Sequence, residues 1–517
     1  MCHLSRIDSG TENCYKSMVR STTTNVGDLL REQAAVTPEA MVFREGDVRI
    51  TYSDLNEETD ALARWLLAQG FTPGDRVAIH WPNSIDTARL YFGIFKAGMI
   101  AVPVNSRLKQ EETAYALRQS GVKACFSAPA LAGIAEAARA NCPDLQWIRT
   151  ELPTDRPDPS IALPAPALTD TCLLLYTSGT TARPKGVIHT SRSMLAMARA
   201  VVENLIDPGE RFVLMTPMLH ASGLFVVLGP TIFAGGECVI LPGYDPGLIL
   251  DAVEQQRCTA IVGLPAMLRL VVNEQIRNPR DVSSVRKMLG GGDAVPLSLQ
   301  EDAGRLFGVT LCEAYAMTEC CPITINNPNV MRPGSIGTAA PGLEVRIGDL
   351  NGSEVPDGEV GEILARGDCC CSGYWGDPAE TAKLFRNGWM RSGDLGRRDS
   401  DGHFWFEGRL KQIIIRGGSN ISPLEVEEAL YRHPAVFEAG VVGNRDEIYG
   451  EVPVAFIALK PGVEVSEREI LDHTRPLLAD YKVPEKIFFR AALPKGVSGK
   501  VDRRALRESL LSIAANA

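Results

Sequence analysis

From Tyr52 onward the chain alternates amphipathic helical segments with short apolar runs, and that alternation constrains its fold more than any other feature. Helical periodicity over Tyr52 to Gln69, Ser84 to Ala97 and Gln110 to Ser120 is interleaved with Asp75 to Trp81, Ile100 to Val104 and Ala124 to Ser127. Gly70 and Pro73 stop the first of these helices. Short apolar runs between helices read as buried strands, and strands joined through helices pair in parallel, giving a sheet covered by helices. A helix at Val26 to Ala35 and a strand pair around Met41 to Thr51 come before the block. A second block repeats the pattern: strand Phe212 to Thr216, helix Leu224 to Phe233, strand Glu237 to Leu241, helix Pro246 to Gln255 and strand Ala260 to Gly263.

Composition narrows the class. At 517 residues, 45% hydrophobic and 22% charged, the chain has enough apolar material for two or three domains with large cores. A formal charge of -10 argues against nonspecific nucleic-acid binding but leaves room for a local basic site. No apolar run reaches the roughly 18 residues of a membrane span. Residues 1–24 are Ser/Thr-rich without the apolar core of a signal peptide, so they read as a flexible leader on a cytoplasmic protein. Thirteen cysteines, an odd number without CxxC pairs, read as free thiols rather than a disulfide framework or zinc site.

The chemistry concentrates beyond strand ends. The apolar run Cys172 to Tyr176 feeds Thr177-Ser178-Gly179-Thr180-Thr181-Ala182-Arg183-Pro184-Lys185-Gly186. Such a loop offers hydroxyls, backbone N–H groups and one lysine to phosphate oxygens. It is not a Walker loop, because Pro184 stands at the place of the second glycine and Gly186 follows the lysine where a Mg²⁺-binding hydroxyl would be required. Pro217 to Gly223 lies beyond another strand, where open α/β sheets bind ligands; its His220 fits a pocket role and a structural role equally. Leu289 to Ala294 makes a similar transition, and Leu311 to Tyr315 leads into Ala316-Met317-Thr318-Glu319, whose carboxylate suits Mg²⁺. After Gly337 the turn-rich pattern reads as a small antiparallel β unit. Gly408-Arg409-Leu410-Lys411-Gln412 marks a boundary to an α+β domain of about a hundred residues, in which Leu493 to Lys500 is a glycine-rich loop ending in lysine.

In combination these stretches, with Ser392-Gly393-Asp394, Gly417 to Glu425 and Ser498-Gly499-Lys500, resemble the adenylate-forming superfamily of acyl-CoA synthetases, luciferases and adenylation domains, most closely a bacterial-type fatty acyl-CoA ligase. The resemblance runs from about Asn25 to Leu510. It implies a large N-terminal α/β domain, 25–409, of layered α/β sheets plus a small β unit, and a small mobile α+β C-terminal domain, 410–517. It also implies activation of a carboxylic acid by ATP as an acyl-adenylate, pyrophosphate release, and transfer to coenzyme A. On that basis Thr177, Ser178, Gly179, Thr180, Thr181 and Lys185 hold the β- and γ-phosphates, Thr318 the α-phosphate and Glu319 Mg²⁺. Asp394 takes the ribose with Arg409 nearby, and Gly292, Asp293, Ala294 and Tyr315 line the adenine. Lys500 bridges carboxylate and phosphate, Gly417 and Gly418 pass the pantetheine arm of coenzyme A, His220 sits at the acyl pocket, and Lys411 is the hinge between domains. Ala182 and Ala316 depart from the family's usual glycines. The small apolar residues expected around the acid point to a medium- or long-chain fatty acid, with an aryl or alicyclic acid second; loading onto a carrier-protein thiol is the alternative to coenzyme A.

Overall fold

A computed structural model of the chain describes residues 25–155, 157–177, 184–349, 351–410, 412–417, 419–446, 448–496 and 500–515. The first four described helices each begin or end at a capping residue visible in the sequence, Asn25 opening Val26–Val36. Thr51 and Asp54 form a capping box at Tyr52–Ala68, Ser84 caps Ile85–Lys96, and Gly121 closes Gln110–Ser120 in the left-handed conformation at φ 63°. Each such cap satisfies backbone groups that a helix end leaves unpaired, and is worth about 1 kcal/mol.

The first alternating block forms a six-stranded sheet in the order Trp147–Arg149, Ala124–Ser127, Arg76–His80, Ile100–Pro103, Thr171–Thr177, Lys185–Thr190. Its strands are parallel except for the last pair, an antiparallel hairpin. Lys185–Thr190, a strand not anticipated from the sequence, pairs antiparallel with Thr171–Thr177 on the far side of the phosphate-type stretch. Thr190 then caps helix Ser191–Leu205.

The second block forms a nine-stranded sheet whose centre is parallel, from Glu237–Ile240 through Arg211–Leu214, Ala260–Gly263 and Lys287–Gly291 to Leu311–Met317. The early hairpin Met41–Thr51 joins this sheet rather than its sequence neighbours, with Met41–Glu45 parallel to Glu237–Ile240. Burial explains the choice: Val42 and Phe43 are fully buried in the core shared by both sheets, and Arg44 is ion-paired with Glu237. The expected helix Leu224 to Phe233 is continuous from Ala221 to Phe233, with one wide turn over Leu224–Leu228 between α-helical ends.

Leu343–Gly348, Gly361–Gly367, Phe385–Arg386, Trp389–Arg398 and Phe404–Arg409 make the antiparallel β unit expected after Gly337. The remaining residues build a separate five-stranded sheet, Ser419–Ile421, Ile414–Arg416, Gly450–Leu459, Val436–Asp446 and Lys486–Phe489. Its own core includes Ile414, Val426, Leu430, Val441 and Ile457. Among the described residues no helix is long and apolar enough to cross a membrane.

Candidate active site

Several of the expected residues are gathered at strand ends of the two large sheets. In the first sheet, Thr177 pairs with Lys185 at the mouth of the hairpin. Ser178, Gly179, Thr180, Thr181 and Ala182, between them, lie outside the described residues. Lys185 is ion-paired with Glu380, and its ammonium lies 4.7 Å from the centroid of the Tyr374 ring. Lys185 and Lys383 pull the Glu380 carboxyl down to about 2.

In the second sheet, Leu311–Met317 turns directly into Cys320–Ile325, with Met317 opposite Cys320, so Thr318 and Glu319 are the two residues of a tight hairpin turn. Three contacts fix that turn. His189 Nε2 lies 2.9 Å from the Thr318 carbonyl oxygen, the Glu319 carbonyl accepts from the Cys371 N–H at 2.7 Å, and the Tyr374 hydroxyl donates to Glu319 Oε1 at 2.7 Å. His189 is fully buried, and burial pushes its imidazole down to about 4, so it is neutral and donates to Thr318. Burial likewise raises the Glu319 carboxyl, against the Tyr374 hydrogen bond and the charges of Lys185 and Arg409. Ala316 lies at a register shift of this hairpin without a positive φ, so alanine carries no strain there.

Asp394 and Arg409 face each other across the antiparallel pair Trp389–Arg398 and Phe404–Arg409. Arg409 Nε is 3.2 Å from Asp394 Oδ1, and the Tyr315 hydroxyl donates to Asp394 Oδ2 at 2.7 Å. Burial raises the Asp394 carboxyl while the Arg409 charge opposes the rise.

Gly292 follows strand Lys287–Gly291 at φ 83°, a conformation that favours glycine, and a Cβ there would lie 2.9 Å from Leu264 Cδ2 and 3.9 Å from Lys500 Cε. Lys500, carried by the small sheet's unit, thus reaches the end of the large sheet. Burial lowers its ammonium pKa, the carboxylates of Asp293 and Asp394 act in the opposite direction, and the charges of Arg409 and Arg503 add to the lowering. Asp293 itself accepts from the Ala294 N–H at 3.1 Å.

His220 caps the short helix that opens at Ala221, with Nδ1 3.0 Å from Ser222 Oγ. Burial, helped by the charge of Lys500, pushes it down to about 4. The segment is clamped from the first layer: Asn83 donates to the Thr216 carbonyl at 3.0 Å and accepts from the Met218 N–H at 2.7 Å. Gly223 has no room for a side chain, since a Cβ would fall 2.2 Å from the Pro217 carbonyl oxygen.

Gly417 is placed elsewhere, donating its N–H to the Tyr449 carbonyl at 2.7 Å with φ 55°. Gly418 and Lys411 lie outside the described residues. Sequence reasoning missed His189, Tyr374 and Asn83. His189 sits in the unforeseen hairpin strand, and Asn83 and Tyr374 are polar residues whose targets are more than 50 positions away.

Comparison with known proteins bears directly on this arrangement. The family model for AMP-binding enzymes matches residues 30–375, and the model for the AMP-binding enzyme C-terminal domain matches 425–500, ending on Lys500. The chain belongs to the AMP-binding enzyme family. This AMP-binding enzyme is 37% identical over 484 residues to a feruloyl-CoA synthase of Amycolatopsis sp, covering 92% of this chain and 97% of that protein. It is 32% identical over 498 residues to a long-chain-fatty-acid–CoA ligase of Mycobacterium tuberculosis, covering 94% and 98%. Its structure resembles the crystal structure of an anthranilate CoA ligase in complex with anthranoyl-AMP, with TM-score 0.89, 28% identity and coverage of 95% and 98%. The AMP-binding enzyme is an acid–CoA ligase of the AMP-forming type.

Proposed function

We propose that this enzyme activates a monocarboxylic acid with a compact apolar body, of the aryl class, as its adenylate, and passes the acyl group to coenzyme A. The acid's carboxylate oxygen attacks the α-phosphorus of ATP, the bond to the bridging oxygen breaks and pyrophosphate leaves. The coenzyme A thiol then attacks the acyl carbonyl and AMP departs. Such chemistry depends on positioning and on neutralising charge in a site that excludes water. The observation that carries the reading is Lys500, enclosed near Asp293, Asp394 and Arg409 and close enough to His220 to affect its proton.

We assign the single residues their roles from their surroundings in the site. Thr318, held by His189, offers its hydroxyl to the α-phosphate; Lys185 exchanges Glu380 for the outer phosphates. The Asp394 carboxylate, oriented by Tyr315 and Arg409, retains acceptor capacity for ribose hydroxyls. Gly292, Asp293, Ala294 and Tyr315 border the base. Glu319 suits Mg²⁺: its Oε1 is held by Tyr374, and Oε2 has no hydrogen bond among the described residues. Mg²⁺ is normally held by one or two carboxylates together with substrate phosphates, where it neutralises triphosphate charge. Withdrawal of Lys500 before thiol attack would turn on Lys411 and bring Gly417 and Gly418 toward the thiol. With ATP and coenzyme A as substrates, the setting is cytoplasmic.

The aryl preference rests on packing. Below the site, Gly263 and Gly290 are closed off by Met215, Leu268 and Val295, each glycine having a side-chain carbon within 2.9 Å of where a Cβ would be. An apolar cavity lined by Leu29, Phe92, Phe95, Met194, Phe225 and Leu228 holds about 20 Å³. That is the room of a single water molecule. A fatty acid is the second reading, favoured by the similarity to the mycobacterial ligase. Loading of a carrier-protein thiol is the alternative acceptor. Pyrophosphate release with a panel of benzoates, cinnamates, fatty acids and dicarboxylates, each with coenzyme A or acyl carrier protein, tests all three statements. Aryl acids with coenzyme A are expected to lead. Faster turnover of hexadecanoate, of malonate or with the carrier protein would overturn the corresponding part.

A further inference from the structure

The turn that carries Thr318 and Glu319 is bordered by sulfur. Cys320, its next residue, stands directly opposite Cys370 in an isolated antiparallel bridge, and the two Sγ atoms are 3.7 Å apart. The flanking backbone bond runs from the Cys371 N–H to the Glu319 carbonyl, so Cys320 and Cys370 occupy a non-hydrogen-bonded pair. In that kind of pair the Cα atoms are about 4.5 Å apart and the side chains closest. This separation falls within the range that a disulfide spans without moving its backbone far. Cys320 is fully buried, whereas Cys370 is half-buried and open to a small oxidant. All described cysteines are free thiols in this structure.

We propose that Cys320 and Cys370 form a reversible disulfide that slows adenylation by displacing the Thr318–Glu319 turn. With hydrogen peroxide as oxidant, the Cys370 sulfur attacks one peroxide oxygen, the O–O bond breaks and a sulfenic acid forms with release of water. The Cys320 sulfur then attacks the Cys370 sulfur, expelling a second water; two thiols are oxidised and one peroxide is reduced. The bond draws the sulfurs from 3.7 Å to about 2.05 Å. That movement acts on the residue next to Glu319 and on the segment leading to Tyr374, whose hydroxyl holds the Glu319 carboxylate. Misplacement of about 1 Å in a positioned site is enough to cost about 10²-fold in rate.

The test treats the full chain with hydrogen peroxide, then maps it with trypsin under non-reducing conditions and measures pyrophosphate release. Peptide 306–346, which carries Cys320, should be linked to peptide 367–383, which carries Cys370. Adenylation should fall at least about tenfold and return with dithiothreitol. Cys370→Ser should keep the basal rate and lose both the link and the peroxide sensitivity, Cys320→Ala should behave in the same way, and Cys369→Ser should remain as sensitive as the natural chain. A link without a change in rate, inhibition without the link, or a Cys370→Ser variant as sensitive as the natural chain would each overturn the proposal.

Discussion

Tyr315 donates its phenolic hydrogen to Asp394 at 2.7 Å, joining the last strand of the parallel core to the β unit that follows it in sequence. The bond joins the expected adenine wall, to which Tyr315 belongs, to the expected ribose carboxylate of Asp394, with Arg409 3.2 Å from that carboxylate. Tyr315→Phe removes one hydrogen bond to a charged group, a loss of about 1.5 to 3 kcal/mol. We expect the ATP affinity to fall about tenfold in this variant and by a much larger factor for Asp394→Ala. Titration calorimetry with ATP checks this; equal losses for the two variants would remove Tyr315 from its supporting role.

Gly223 tests how tightly the His220 segment is built. A Cβ 2.2 Å from the Pro217 carbonyl oxygen meets backbone rather than a side chain able to swing away. Gly223→Ala is expected to destabilise by about 2 kcal/mol or more, and to raise the KM for the acid more than that for ATP. Thermal unfolding and steady-state kinetics decide it. An alanine variant with unchanged melting and unchanged KM for the acid would contradict the reading.

His189 gives a pH dependence with a defined sign. Its folded-state value is pushed down to about 4, as is that of the buried His80, while an unfolded histidine titrates near 6.5. Below 6.5 the unfolded chain takes up protons that the folded chain excludes, so stability falls with pH. The loss amounts to about 3 kcal/mol per histidine once the pH has dropped through 4. Denaturant unfolding at pH 7, 5.5 and 4 should show the decline. His189→Ala should flatten part of it, and should also lower kcat for adenylation more than ATP affinity, because the Thr318 turn loses its anchor.

Much of this arrangement is legible in the sequence alone. Gln110–Ser120, Ala124–Ser127 and Ala260–Gly263 fall where periodicity and capping residues place them, because their signals are local. The hairpin Lys185–Thr190 is not legible there: its polar residues look like more of the loop, and only pairing with Thr171–Thr177 makes them a strand. For the same reason His189 escapes notice, although it is a histidine in a motif-bearing stretch; its partner Thr318 is 129 positions away. Pairing of Met41–Glu45 with Glu237–Ile240 likewise depends on a contact across the chain. Motif residues can be named from the sequence, but the side chains that hold them, Asn83, His189 and Tyr374, emerge only from the fold.

The proposed role of Lys500, stabilising charge in adenylate formation from the end of the large sheet, is decided by a comparison of the two half-reactions. Lys500→Ala is measured for pyrophosphate release with ATP and acid and, separately, for thioester formation from preformed acyl-adenylate and coenzyme A. Removing one preorganised donor should slow the first reaction by about 10² to 10³. ATP binding and the second reaction should stay within about threefold of the natural chain, because the proposed withdrawal of Lys500 takes it out of the site before the thiol attacks. Pyrophosphate release at the natural rate, or equal loss in both reactions, would contradict the account.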